Sequence, residues 1–184
     1  MPVPVFLSED DKRWLKQKKI IKVAVYQPEQ PPLAQTTLMG RYRGMNADYL
    51  ALIQHSLNIR ISVIEYPSQI SAINALKAGD VDTVLSSLGT FSFSDNDIRV
   101  SQPLVYSWPT LVTALTNVMA PMKGELSTRI AIVNNYPDDN FIHQSFPNAE
   151  IITFSSYQDA LNSVANGENT WFMGDSLTTS TWLS

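Results

Sequence analysis

Apolar and polar positions alternate along the chain in two periods. Ile20 to Tyr26 and Val81 to Leu85 are short apolar runs of strand length, while Ile59, Ile61 and Val63 alternate with their neighbours at period two. Between them the period lengthens to that of a helix. Tyr49, Leu50, Ile53 and Leu57 make one stripe, and Ile70, Ile73 and Leu76 make another. Local punctuation agrees with these elements. Ser8-Glu9-Asp10-Asp11 has the form of a capping box, with carboxylates at the positive helix end and Lys16, Lys18 and Lys19 near the negative one. Pro28, Pro31 and Pro32 end the first strand, a turn falls around Gly40 and Gly44, Ser68 caps a helix and Gly79 stops it. Strand–helix–strand succession predicts a mainly parallel sheet with helices on its faces.

The second half repeats this unit. Ser68 aligns with Ser156, Ala72 with Ala160, Asn74 with Asn162 and Gly79 with Gly167, all at one constant offset. In both copies a capped helix ends at Gly, an acidic residue follows, and a strand begins. Two lobes of related architecture follow from this. Trp108 to Leu115 is extended and starts at Pro109, which suits a crossing strand. The expected division is a first lobe over residues 1–108, a hinge crossing strand over 109–116 and a second lobe over 117–184. Two such lobes form a cleft, a preferred place for ligands. The chain crosses once without a return, so the expectation is a two-lobed α/β fold that is C-terminally truncated.

Composition narrows the function classes. The 184 residues carry 13 Lys plus Arg against 17 Asp plus Glu, a net charge of −4, with 44% hydrophobic positions. That is enough to bury a core, and the lack of basic clusters argues against nucleic acid as a partner. With no Cys there is no disulfide and no thiolate ligand, and two histidines, His55 and His143, leave little for a metal site. No apolar run approaches the roughly 18 residues of a membrane span.

Several stretches taken together carry a resemblance. Leu7–Lys16, Ile21–Tyr26, Gly44–Ile53, Ala75–Asp82 and Ser101–Leu104 resemble the family-3 bacterial solute-binding, or Venus flytrap, fold. Asn135–Asp139, Ile142–Pro147 and Gly44–Leu50 resemble more closely the first periplasmic flytrap domain of EvgS/BvgS-type hybrid sensor histidine kinases. The resemblance implies an α/β, two-lobed, periplasmic-binding-protein-like fold of type II. It also implies a periplasmic sensory role attached to a membrane-spanning kinase whose catalytic parts lie outside this chain. No cofactor is implied. The partners implied are the sensor's other periplasmic domains, a second copy through the parent, and a small-molecule ligand of unspecified identity. The alternatives are a free solute-binding protein of an amino-acid ABC transporter and a dehydratase-type enzyme on the same fold. For the latter, Glu29, Asp95 and Asp175 form no compelling acid–base pair.

The same resemblance locates candidate site residues. Amino-acid-binding members hold the α-carboxylate with an Arg, and here Ser94 stands at that place, while Arg99 lies five positions later. In the second lobe, the turn that receives a carboxylate falls on Asn135, Tyr136, Pro137, Asp138 and Asp139, where Pro137 removes an amide donor. Asp175 matches the acid that holds an α-ammonium group, or else caps the helix that starts at Ser176. Strand ends add Tyr26, Gln27, Ser86 and Ser87 as cleft candidates, with Gly89 a turn former. His143 stands four residues after Asp139, a pairing that favours the imidazolium, and is the candidate for sensing mild acid.

Overall fold

The computed structural model describes residues 6–85, 98–115, 128–134, 136 and 139–184. Among these, no helix is long and apolar enough to cross a membrane. The chain divides into two compact units, the first holding residues 6–85 and 98–99 and the second residues 100–115 and 128–184 of those described.

The first unit opens with α1 (Glu9–Lys18), capped as expected: Ser8 Oγ accepts from the Asp11 amide, and Asp11 accepts from the Ser8 amide. β1 (Ile20–Tyr26) follows, then a short antiparallel hairpin of β2 (Gln35–Thr36) and β3 (Tyr42–Arg43). After it come α2 (Met45–Leu57), β4 (Arg60–Tyr66), α3 (Gln69–Ala78) and β5 (Thr83–Val84). The sheet order is β4-β1-β5, all parallel, with Ala24 opposite Ile64 and Tyr26 opposite Tyr66. The strand expected over Val81 to Leu85 is thus reduced to two residues, while Val81 itself joins the core.

α3 differs from expectation in the face it buries. Ile70 is 69% exposed, and the buried positions are Gln69, Ala72 and Ala75. The stripe is shifted back by one residue because small side chains let the helix lie close on Ala24 and Tyr26, and Gln69 Nε2 finds the Tyr26 hydroxyl at 3.0 Å. In α2, likewise, Leu50 and Asn46 are buried while Ile53 is exposed.

The α1 helix is tied down by Lys18 Nζ, 2.5 Å from Asp82 Oδ1, while the Lys22 amide donates to Asp82 Oδ2. Burial works to raise the Asp82 carboxyl, but Lys18 and Lys22 outweigh it and hold the group below its ordinary range.

The second unit contains β6 (Pro109–Val112), β7 (Arg129–Val133), α4 (Asp139–Ser145), β8 (Glu150–Phe154), α5 (Tyr157–Ala165), β9 (Trp171–Asp175) and α6 (Ser176–Leu183). Its sheet runs β6-β9-β7-β8, parallel except for β6 at one edge. The segment expected to cross between lobes is therefore seen, over Pro109–Val112, as an edge strand of the second sheet. Strand alternation sorts the core into two faces. Ala131, Val133 and Phe172 pack with Tyr157, Ala160 and Val164 of α5, whereas Ile130, Ile132, Trp171 and Met173 pack with Ile142 of α4.

The internal repeat is real at the level of pairing. The β8-β7-β9 ladder copies β4-β1-β5. Ser68 and Ser156 both cap their helices, accepting from the amides of Ser71 and Asp159. Gly79 and Gly167 both turn the chain at positive φ, +79° and +78°.

Candidate functional site

In the first unit the carboxyl ends of β1 and β4 carry a polar cluster, the place where open α/β sheets offer ligand contacts. Tyr26 is buried, and its hydroxyl accepts from Gln69. Gln27 donates its amide N–H to the Tyr66 carbonyl and its side-chain Nε2 to Glu65 Oε1. The other Glu65 oxygen accepts from Thr36 Oγ1 at 3.2 Å, and Glu29 accepts from the Thr36 amide at 2.6 Å. Burial pushes the nearby Tyr42 phenol up, with Tyr26 and Glu65 adding to the rise. Glu65 thus organises this end of the sheet, although no pattern around it in the sequence marks it.

In the second unit the site is built on the N-terminus of α6. Asp175 ends β9 and is the N-cap: its Oδ1 accepts from the Thr178 amide at 2.9 Å and from Ser107 Oγ at 3.0 Å. Ser107 Oγ also lies 3.1 Å from Ser176 Oγ, and the Ser176 amide donates to the Trp108 carbonyl. Asp175 Oδ2 is buried and has no hydrogen-bond partner among the described residues, and the same holds for the Thr179 hydroxyl. Burial, reinforced by the Asp175 carboxylate, keeps the neighbouring Tyr157 phenol protonated far above its ordinary range. Tyr157 stacks on Trp182 at 6.0 Å and meets Phe172 edge-on.

Tyr136 is half-buried against the α4 side of the second core, and its amide donates to the Val133 carbonyl. His143 is exposed on α4. Ser86, Ser87, Ser94 and Asn135 lie outside the described residues, as do Pro137, Asp138 and the Asp139 side chain.

No protein-family profile matches the chain. Known proteins do. The sensor protein EvgS of Escherichia coli K12 is 42% identical over 98% of this chain. The crystal structure of the BvgS periplasmic domain of B. pertussis superposes over the whole chain with a TM-score of 0.80 at 33% identity. The chain belongs to the periplasmic Venus flytrap domains of EvgS/BvgS-type sensors. A second flytrap domain of Bordetella pertussis BvgS superposes at a TM-score of 0.79 over 97% of the chain, at 22% identity a likeness of fold alone. The chain spans about 15% of the length of EvgS and 35% of the BvgS periplasmic chain. These relatives are multidomain proteins.

Within this flytrap domain the Asp175 cap has a measurable weight. Replacing Asp175 with Ala removes the acceptor for the Thr178 amide and for Ser107, and costs about 1 kcal/mol of stability. Asp175→Asn retains an oxygen acceptor and loses less than about 0.5 kcal/mol. Urea denaturation of the two variants side by side checks the difference.

Proposed function

We propose that this flytrap domain is the non-catalytic sensing part of a two-component hybrid histidine kinase. The observation that supports this most is the 42% identity to sensor protein EvgS over 98% of the chain. In this reading the domain performs no chemistry. A signal shifts its conformational equilibrium, by no more than the signal's differential affinity for the two states, and the membrane-anchored kinase responds. Its partners are the other periplasmic domains of the same sensor and a second copy joined through the parent.

The amino-acid clamp of transport proteins is incomplete in this domain. Ser94 stands where the resemblance expects an Arg, and a neutral hydroxyl cannot form the bidentate charged pair with a carboxylate. Titration calorimetry with the common amino acids is expected to give no binding tighter than about 1 mM. Micromolar binding of any of them would move the domain to the solute-binding proteins that feed transporters.

A further inference from the structure

α6 starts with help from a stretch of chain that lies far from it in sequence. A helix leaves its first amides without intrahelical partners. In α6 the Thr178 amide is satisfied by the N-cap, 2.9 Å from Asp175 Oδ1. The two amides before it reach further. Ser176 donates to the Trp108 carbonyl at 2.8 Å, and Leu177 donates to Ser107 Oγ at 3.3 Å. Residues 107 and 108 thus complete a cap that the helix's own flank leaves unfinished.

The hydroxyls here point in one direction. Ser107 has a single hydroxyl proton, and its Oγ lies 3.0 Å from Asp175 Oδ1, a carboxylate oxygen that only accepts. Ser107 Oγ is therefore the acceptor for Ser176 Oγ, 3.1 Å away. Ser176 Oγ in turn accepts from the Trp108 amide at 3.3 Å. Trp108 N–H, Ser176 O–H and Ser107 O–H form a chain that ends on a carboxylate, an arrangement in which each bond polarises the next.

The chain just before this point is held differently. Residues 100–106 lead from residues 98–99 of the first unit into the second, and they form neither helix nor strand. Val100, Leu104 and Tyr106 are 71%, 47% and 74% exposed. A segment with so little buried surface opens at low free-energy cost. From Pro109 onward the chain is strand β6, paired with β9.

We infer that Ser107, Ser176 and Asp175 form an anchor that fixes the connection between the two units to the start of α6. Bending within the described connection then falls on residues 100–106, ahead of the 109–116 segment that the sequence suggests as a hinge. A pull on the connection is delivered to the first turn of α6. This inference does not depend on the sensor reading.

The test uses the whole chain, which has no cysteine of its own. Ser56→Cys on α2 and Ser145→Cys on α4, both exposed, carry one spin label in each unit. Pulsed electron resonance reads the spread of distances between the labels, and amide hydrogen exchange reads the start of α6. Ser107→Ala is expected to speed exchange at Leu177 at least about tenfold, with Ile130–Val133 of β7 unchanged. It is also expected to broaden the distance distribution at least about twofold. Ser107→Thr keeps the hydroxyl and is expected to match the unsubstituted chain in both. If Ser107→Ala does not fold, Ser176→Ala leaves the Asp175–Thr178 bond in place and gives the same two changes. An unchanged distance distribution alongside faster exchange at Leu177 overturns the inference, because the hydroxyl then serves the helix alone. Unchanged exchange at Leu177 overturns it as well.

Discussion

Replacing Gly44 with Ala lowers the stability of the first unit by about 3 kcal/mol or more. Gly44 is the residue before α2, with φ +104° and ψ −178°, a region that side-chain-bearing residues scarcely enter. A Cβ placed there would stand 2.6 Å from the carbonyl oxygens of both Pro32 and Leu33. Those oxygens cannot step aside, because they accept the amides of Met45 and Asn46 at 3.0 Å and so satisfy two free donors at the start of α2. Moving them breaks the entry of the helix. Gly40 is also at positive φ, but a Cβ added there would meet nothing within 4 Å, so Gly40→Ala costs only the backbone strain of roughly 1 kcal/mol. Guanidinium denaturation of the two variants should separate them clearly; equal midpoints would refute the role given to the two carbonyls.

Phe172→Ala removes about 3–5 kcal/mol from the second unit. Phe172 is fully buried and sits where β7, β9 and α5 meet, against Ala131, Val133, Ala160 and Val164. Its ring centroid lies 6.0 Å from that of Tyr157 at an interplanar angle of 64°. Truncation leaves a cavity in a wall of short side chains, which have little reach to fill it. Ile70→Ala is the matched comparison, since Ile70 is large but 69% exposed, and it changes stability by about 0.5 kcal/mol or less. Hydrogen exchange resolved by residue should show the Phe172→Ala loss in β7, β9 and α5. A loss no larger than that of Ile70→Ala would mean that the core does not turn on this ring.

The elements legible in the sequence are those whose causes lie within one or two turns of the chain. Ser8 reaches Asp11, Ser68 reaches Ser71, and Ser156 reaches the Asp159 amide, each three residues on. β1 has the bounds its apolar run predicts, from Ile20 to Tyr26. The choice between Ile70 and Ala72 as the inward position of α3 is not legible, because periodicity gives a stripe without saying which neighbour it must fit. Gln69 is inward because Tyr26, 43 residues away in sequence, offers it an oxygen. Glu65 escapes a sequence reading for the same reason: it gains its meaning from Gln27 and Thr36, which the fold alone brings to it.

The sequence by itself determined the two repeated strand–helix–strand units and the helix caps, since both reside in residue types at short spacings, and it carried the resemblance to periplasmic flytrap sensors through stretches spread along the chain. Tertiary structure alone brought Ser107, 68 residues earlier, to Asp175, whose capping of α6 was one of two readings open in the sequence, and made Pro109–Val112 an edge of the second sheet. The physical reason is common to these cases. A hydrogen bond or a charge cluster needs atoms within a few ångströms, and residues far apart in sequence reach that distance only after the sheet has chosen its strand order.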